Sequence, residues 1–556
     1  MNLLVTSYYD EILAPVIRGV CDQNNWVVRD WFIAYPSKDK TIVPEKMFPE
    51  ATVHRPEFAS RGMLSDGLQA AGWPAVDQSI VDRMATYEHM FMRMLDIYDP
   101  TGRAFSARER REAYYALLQF GMHVIEEHRP DLFIAGTIPH ALHDYILYGL
   151  CRVLNIKTLF YMPVSLPGYL VLHDSIENGS RLLRDAYALV LSDDAPVTLP
   201  ALLEDYYKQV RSPYKDAEPW YVKLRDHSFL NKRGARAFFP NIFDRSNYAR
   251  KFISATRRAI KGGVNFALRP AETYRENFVT PMGDFFKKEG VSLVDSSTTR
   301  HEMTRVFKRG AKVKKRLYRQ YLKLQSQPAF DVPFIFVPLH YQPEASTSPL
   351  GGAFVDQILM IRLLASYLPE GWRIYVKEHR TTFDPGLRGD FARDEEYYPQ
   401  IASIKGVTLV PLSYTSFDLI DKARAVATVT GTAGWESVLR GIPSIVFGNA
   451  WYKDCHGVFD GRTATGCENA IQEIASGFKP TENKVRRFIK TVTEVGVWAD
   501  RDNDYVLTTL DSETNRDTLV AHFAQQFSAL WGQARASGGP AVEISDRTNL
   551  IVEEPQ

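Results

Sequence analysis

One stretch of the sequence, VTGTAGWESVLRGIPSIVFG at residues 429–448, constrains the fold more than any other. An apolar run enters a turn rich in glycine and threonine, a short helical segment follows, and Gly-Ile-Pro precedes a second apolar run. Glycine permits a tight turn, and helices commonly end at glycine with proline close behind. The stretch therefore predicts a strand–turn–helix–strand unit of an α/β protein.

The turn in this unit has the composition of a phosphate site. Gly431 and Gly434 let backbone N–H groups approach a ligand closely. The hydroxyls of Thr430 and Thr432 add donors, and the N-terminus of the following helix favours an anion. Glu436 lies in the helix just after the turn, where its carboxylate can accept hydrogen bonds from ribose hydroxyls. We predict that these five residues bind a nucleotide.

Apolar runs alternate with helical stretches in two series, one in the N-terminal third of the chain and one in its C-terminal half. This alternation predicts two parallel sheets, and hence two Rossmann-like domains facing a cleft, which is the GT-B architecture. The predicted parts are an acceptor domain at 1–198, a helical basic insertion at 199–330, a nucleotide-sugar-binding domain at 331–510, and a C-terminal helix with a disordered tail at 511–556.

The bulk composition excludes several classes of protein. The chain has 556 residues, of which 45% are hydrophobic and 24% charged, as in ordinary globular proteins. No apolar run approaches the roughly 20 residues that span a bilayer, and no basic segment precedes the first apolar run. The four cysteines lack metal-ligand spacing. We expect a cytoplasmic protein with reduced thiols and no metal site.

The net charge of +1 conceals a basic block at residues 245–323, which holds 20 Lys and Arg against 6 Asp and Glu. Such a block is either a solvated helical face or a surface for a polyanion. The candidate partners are an anionic inner-membrane surface, which would make the protein peripheral there, and an acidic acceptor. Nucleic acid is not expected, because no recognition motif accompanies the basic residues.

In the N-terminal half, polar residues follow the apolar run FIAGTIP at residues 133–139. His140 lies where the carboxyl end of a strand would meet an acceptor, and His143 begins the next helix beside Asp144. We predict acceptor contacts by the two histidines. Asp144 is a candidate acceptor base, although an acidic residue here also favours a helix N-terminus without any catalytic role.

Three blocks in the C-terminal half occur in the order VPLHYQPEAS, YVKEHR and GTAGWESVLRGIPSIVFGNAWY. In this order they resemble blocks of the bacterial capsule polysaccharide biosynthesis family, which includes β-Kdo transferases that use CMP-Kdo. The resemblance places Glu344 at the family's acidic position before Ala-Ser. It also places Lys377 and His379 on the lysine and histidine of the family's Lys-x-His-Pro block.

The sequence departs from the family at three points. Arg380 follows His379 where the family has proline, and Glu344 stands where the Kdo enzymes carry aspartate. The segment KDCHG at residues 453–457 replaces the family's Gly-Trp-Gly stretch. These departures do not change the GT-B interpretation. They leave open which sugar is donated and whether its anomeric configuration is retained or inverted.

The resemblance implies transfer from a CMP-activated sugar through an oxocarbenium-like state. Lys377, His379 and Arg380 would hold the leaving phosphate, so neither a metal nor another cofactor is expected. Glu344 would be the nucleophile of a retaining reaction or the base of an inverting one.

We therefore expect a glycosyltransferase that transfers Kdo or a nonulosonic acid, such as one of the pseudaminic or sialic type, from its CMP derivative. The acceptor would be a bacterial surface polysaccharide or a glycolipid. Two alternatives remain open at this point. One is a GT-B transferase that uses a UDP-sugar, a GDP-sugar or CDP-glycerol, and the other is a non-catalytic glycan-binding or export component.

Overall fold

A computed structural model describes residues 1–7, 10–33, 42–54, 73–97, 107–213, 312–342, 347–383, 389–390, 392–500 and 508–532. Most of the predicted basic insertion, the tail and the candidate Glu344 lie outside these residues. Two β-sheets organise the described part, and both belong to one compact unit formed by residues 1–204 and 311–556.

The described strands are β1 (Asn2–Ser7), β2 (Val27–Ile33), β3 (Thr52–His54), β4 (Leu132–Ala135), β5 (Lys157–Pro163), β6 (Tyr169–His173), β7 (Phe334–Pro338), β8 (Arg373–Lys377), β9 (Val407–Leu409), β10 (Ala425–Thr428), β11 (Ser444–Val446), β12 (Val458–Asp460) and β13 (Val497–Trp498). The helices with described bounds are α1 (Asp10–Asn24), α2 (Pro44–Met47), α3 (Gln78–Met94), α4 (Ala107–His128), α5 (Leu142–Val153), α6 (Arg181–Val190), α7 (Ala201–Arg211), α8 (Gln357–Ser366), α9 (Tyr397–Ser403), α10 (Ser416–Ile420), α11 (Thr432–Leu439), α12 (Ala464–Ala475), α13 (Glu482–Val495) and α14 (Ser512–Trp531). Residues 312–324 are also helical, and short 3₁₀ turns occupy Leu95–Ile97, Gly352–Val355 and Arg380–Phe383.

The first sheet has the order β13-β6-β5-β4-β1-β2-β3. Strands β1 to β5 pair in parallel, whereas β6 runs antiparallel to both β5 and β13. All four residues of β4 are buried, as expected for a parallel strand covered on both faces. The strand order reverses between β1 and β4, so the carboxyl ends of these strands form a switch point of the kind at which α/β sheets bind ligands.

The second sheet has the order β12-β11-β10-β7-β8-β9, and every pair in it is parallel. Its order reverses between β7 and β10. The helices and the sheet share a core that includes Ile335, Ile361, Ile374 and Ile471. This core fixes the strand ends, and the turn predicted at 430–434 follows β10 at the switch point.

The segments after the second sheet return to the first one. Strand β13 pairs with β6, and α14 packs on α1. The ring of Phe527 in α14 also lies 4.7 Å from the ring of Trp26, which follows α1. Residues 497–498 therefore pair with the first sheet, although the sequence assigned them to the second domain. Two Rossmann-like sheets in one chain are the GT-B arrangement, so the predicted fold class is confirmed. No described helix is long and apolar enough to cross a membrane.

Candidate functional site

The switch point of the second sheet is occupied by His340, which follows β7 and is buried. Its Nε2 lies 2.9 Å from Oγ1 of Thr428, the last residue of β10, and accepts the N–H of Thr430 at 3.3 Å. Thr428 Oγ1 in turn accepts the N–H of Gly431 at 3.2 Å. His340 thus holds the first half of the predicted phosphate turn in place.

The turn needs glycine because its backbone lies close to its neighbours. A Cβ on Gly431 would lie 2.8 Å from Thr428 Oγ1 and 3.1 Å from the His340 ring. A Cβ on Gly448 would lie 2.8 Å from both the Leu350 carbonyl oxygen and the Thr430 side chain. Both positions therefore serve the close approach of backbone segments around the turn.

The first turn of α11 packs against the end of the predicted motif through Gly434. A Cβ at Gly434 would overlap the Tyr452 hydroxyl and lie 2.6 Å from Ser444 Oγ. The Tyr452 hydroxyl donates to the Gly431 carbonyl oxygen at 2.5 Å. Gly434 therefore secures helix packing, while Gly431, Thr430 and the start of α11 form the surface of the turn.

Lys377 ends β8, next to β7, and its side chain is buried. Its Nζ donates to the Tyr414 carbonyl oxygen at 3.0 Å and to Ser416 Oγ at 3.4 Å. Burial lowers the pKa of Lys377 to about 8, and the charge of Arg380 acts in the same direction. The ammonium group is still charged at neutral pH, and it is tied to the loop before α10.

Glu436 is buried in α11, and burial raises the pKa of its carboxyl to about 7. A hydrogen bond from the Thr432 side chain and the charges of Arg440 and Lys377 oppose this rise. Glu436 and Lys377 therefore stabilise each other's charged forms across the ends of β8 and β10. Both titrate within about one pH unit of neutrality.

We expect the wild-type protein to lose stability between pH 4.5 and about pH 7 as Glu436 ionises, and we expect the Glu436→Gln variant not to show this loss. Because the folded-state pKa is raised, proton binding stabilises the folded state. That stabilisation is fully present below pH 4.5 and is lost as the pH rises through about 7. In thermal unfolding across this range, the melting temperature of the variant relative to wild type will increase with pH and level off above neutrality.

Glu473→Gln, which alters an exposed carboxylate on α12, is the matched control for this experiment. A difference between the Glu436 variant and wild type that is constant with pH would contradict the raised pKa.

A buried cluster missed by the sequence analysis lies under the YVKEHR block. Glu378 accepts hydrogen bonds from Arg393 Nε at 2.8 Å and from the Tyr398 hydroxyl at 2.7 Å. Its carboxylate also accepts the backbone N–H of His379 at 2.7 Å, and Arg393 donates to the His340 carbonyl oxygen at 2.8 Å. Although burial opposes ionisation, Arg393 holds the pKa of Glu378 below its usual value. The pair fixes the ends of β7 and β8 relative to each other.

His379 and Arg380 follow the cluster and are exposed. His379 Nδ1 lies 2.7 Å from Thr381 Oγ1, and an Arg380 guanidinium nitrogen donates to the Leu412 carbonyl oxygen at 3.4 Å. These two residues are thus at the same sheet edge as Lys377. Of the three predicted phosphate ligands, Lys377 is buried, while His379 and Arg380 face solvent.

Glu344 lies outside the described residues, so its predicted role stays a prediction. The described residues on either side of it are joined, because Gln342 Nε2 donates to Thr347 Oγ1 at 2.5 Å.

In the first sheet, the residues predicted for the acceptor follow β4 at the switch point, but their side chains differ in environment. His143 is buried against Phe32, and burial lowers its pKa to about 3. Asp144 is buried as well, and burial raises its pKa well above the usual value in spite of backbone hydrogen bonds. His140 is half-buried, with Nδ1 2.7 Å from the Ile138 carbonyl oxygen.

This environment bears on the predicted roles of His143 and Asp144. Burial raises the pKa of the Asp144 carboxyl, a direction that catalytic carboxylates also show, so its candidate role as acceptor base stays a prediction. His143 has the environment of a neutral core histidine. His140 is the one of the three predicted residues that is partly accessible.

Residues 347–476 match the model of a family described as capsule polysaccharide biosynthesis protein. The resemblance to the capsule polysaccharide biosynthesis family is confirmed over this segment. The matched residues are less than a quarter of the 556 in the chain. They include Lys377, the Glu378–Arg393 pair, the turn at 430–434 and Tyr452.

Comparison with solved structures gives matches of low identity and low structural similarity. A match to KpsC of Thermosulfurimonas dismutans, a beta Kdo 2,7 transferase, has 16% identity and a TM-score of 0.21. It covers 39% of this chain and 60% of that one, so the alignment spans less than two thirds of the relative.

Two further structures match over most of the chain. A UDP-GlcNAc 2-epimerase from Methanocaldococcus jannaschii has 10% identity, covers 89% of this chain and 100% of its own, and gives a TM-score of 0.21. A trehalose 6-phosphate synthase from Burkholderia multivorans has 11% identity, covers 97% and 99%, and gives 0.25. A comparison with curated protein sequences finds no match. The sheet order of this chain, and not these scores, supports the fold assignment.

Proposed function

We propose that the protein is a glycosyltransferase that binds a nucleotide-sugar at the carboxyl edge of its second sheet. The supporting observation is the turn at 430–434, which lies at the switch point and is held there by His340 and Tyr452. Such a turn offers backbone N–H groups and a helix N-terminus to a phosphate. Lys377 ends β8, the neighbour of β7, and its buried charge acts on Glu436 in α11.

The proposed donor is a CMP-activated ulosonic acid, Kdo or a nonulosonic acid, and the proposed acceptor is a surface polysaccharide or glycolipid. The proposal of CMP rests on the resemblance of the three sequence blocks to a family that includes CMP-Kdo-dependent transferases, and the family match of residues 347–476 supports that resemblance. In the transfer, the bond from the anomeric carbon to the phosphate oxygen breaks, and a bond to an acceptor hydroxyl oxygen forms. CMP leaves with the bonding electron pair, and the hydroxyl proton goes to a base.

The residues proposed for these steps differ in role. Lys377, His379 and Arg380 stabilise the charge of the leaving phosphate, so the proposed mechanism uses no metal. Glu436 accepts hydrogen bonds from ribose hydroxyls. Glu344 is the proposed nucleophile of a retaining reaction or the base of an inverting one.

Nucleotide binding to the purified protein tests the donor class. We expect CMP to raise the melting temperature more than CDP, UDP or GDP at equal concentration. A ligand at 100 times its Kd stabilises the folded state by about 2.7 kcal/mol. If UDP or GDP gives a larger shift than CMP, the donor is a UDP-sugar or a GDP-sugar. If CDP gives the largest shift, the result favours CDP-glycerol. If none of the four nucleotides shifts the melting temperature, the proposed nucleotide site is wrong.

Variants of the exposed residues test the site itself. His379→Ala and Arg380→Ala will keep the wild-type stability within about 0.5 kcal/mol, because both side chains face solvent. Both will lose the CMP-dependent shift and the transferase activity. Arg516→Ala, a change of an arginine in α14 whose side chain is 40% exposed, is the matched control and will keep both. Glu344→Ala will bind CMP but lose transfer, and a variant that transfers normally would exclude the catalytic role of Glu344.

A further inference from the structure

The helix at residues 312–324 is anchored to the second sheet by one face. Leu317 and Tyr321 on this face are fully buried in the core of the sheet. The Tyr321 hydroxyl donates to the Val410 carbonyl oxygen at 2.6 Å and accepts the Glu378 N–H at 3.2 Å. The helix is therefore attached to the same strand end that leads into His379.

The opposite face of this helix is cationic. Four basic residues follow the first lysine at distances of three, four, seven and eleven residues. This spacing places all five exposed side chains on one side of the helix. These are Lys312, Lys315, Arg316, Arg319 and Lys323. The segment 312–324 contains no Asp or Glu. Arg316 forms an ion pair with Glu395 at 2.5 Å, but both side chains are more than half exposed, so this pair neutralises the face only weakly.

Two apolar side chains lie along the edge of the cationic face. Tyr318 is 41% exposed and Leu322 is 43% exposed, and their spacing of four residues puts them side by side. The Tyr318 ring also lies 5.2 Å from the ring of Phe383, at the end of the 3₁₀ turn that begins at Arg380. Exposed apolar groups beside a row of cations are typical of helices that lie in a membrane interface.

We propose that this face, formed by Lys312, Lys315, Arg316, Tyr318, Arg319, Leu322 and Lys323, docks on a membrane surface that contains anionic lipid. The cations meet the lipid headgroups, and Tyr318 and Leu322 enter the boundary between headgroups and acyl chains. A soluble polyanionic glycan would pair with the cations but would gain little from the two apolar side chains. The apolar residues therefore favour a lipid surface, and the docking does not depend on the proposed transferase activity.

Docking through this face has a geometric consequence. The contacts of Tyr321 and Tyr318 connect the helix directly to Glu378 and Phe383, which flank His379 and Arg380. The membrane would thus lie near the exposed cations of the candidate site.

Co-sedimentation of the full chain with vesicles tests the proposal. We expect binding to vesicles of phosphatidylglycerol and phosphatidylcholine, little binding to pure phosphatidylcholine, and weaker binding as salt increases. The triple variant Lys315→Glu, Arg319→Glu, Lys323→Glu will lower the partition coefficient at least about tenfold. The double variant Tyr318→Ser, Leu322→Ser will lower it several-fold without any change in charge.

A charge-matched variant separates this face from the overall charge of the protein. Lys405→Glu, Lys479→Glu, Lys490→Glu changes three exposed lysines elsewhere and will keep most of the binding. Equal losses in the two triple variants would overturn the assignment to this face. If the face binds dextran sulfate through its cations and fails to bind anionic vesicles, its partner is a soluble polyanion and not a membrane. Circular dichroism of each variant, which changes only exposed residues, checks that it remains folded.

Discussion

Replacing Arg393 with methionine will lower the free energy of unfolding by about 3–5 kcal/mol, because it leaves an ionised carboxylate buried without its partner. The Arg393 and Glu378 side chains are 2% and 0% exposed. The arginine also donates to the His340 carbonyl oxygen, so its loss removes a link between the ends of β7 and β8. Urea denaturation of the variant and the wild type measures the difference.

Two further variants make this result specific to the buried pair. Arg462→Met breaks an ion pair whose side chains are 39% and 55% exposed, and it will cost at most about 1 kcal/mol. Adding Glu378→Gln to Arg393→Met removes the unpaired charge and will restore part of the lost stability. An Arg393 variant that is no less stable than the Arg462 variant would show that the pair is not buried as described.

Replacing Gly434 with valine will destabilise the protein by about 2–3 kcal/mol and abolish nucleotide binding. The new side chain would overlap the Tyr452 hydroxyl and press on Ser444, so α11 must move away from β11. Because α11 begins in the turn at 430–434, this movement also displaces the backbone N–H groups proposed to bind phosphate. Denaturation and the CMP-dependent shift in melting temperature measure the two effects separately.

The smaller change Gly434→Ala provides the control in two backgrounds. In the wild-type background it will be destabilising, and in the Tyr452→Phe background the cost will be smaller because the overlapping hydroxyl is absent. Equal costs in both backgrounds would mean that Tyr452 is not the group that requires glycine at position 434.

Much of the fold followed from local sequence patterns. The parallel strands are short apolar runs bounded by helices, and the turn after β10 has the glycines that its close contacts require. The antiparallel strand β6 and the two-residue strand β13 were not predicted. Strand β6 is a short run that turns back on β5, and β13 has only two residues and pairs with β6, more than 300 residues earlier in the sequence.

The candidate site was predictable to a lesser extent. The sequence identifies the turn at 430–434 and the polar residues Lys377, His379 and Arg380 at the end of β8, but it does not single out Glu378. It does not show which of the side chains is buried, because burial depends on partners such as Arg393, which is 15 residues away. His340 lies two residues after the apolar strand β7, and this position near a strand end was the signal in the sequence that could have identified it. The burial of Asp144 likewise depends on the packing around α5. An acidic residue near a helix N-terminus does not indicate by itself whether it is buried.

The return of α14 to the first sheet has a consequence for the order of folding during synthesis. The second sheet is complete once residue 460 has left the ribosome, whereas the first sheet still lacks β13 and α14. The Tyr161 hydroxyl, for example, bonds to the Leu519 carbonyl oxygen across 358 residues of sequence. Closing so long a loop is slow, and until it closes the apolar surface of α1 that α14 covers stays open to chaperones. The N-terminal Rossmann-like unit, although made first, would be the last to become stable.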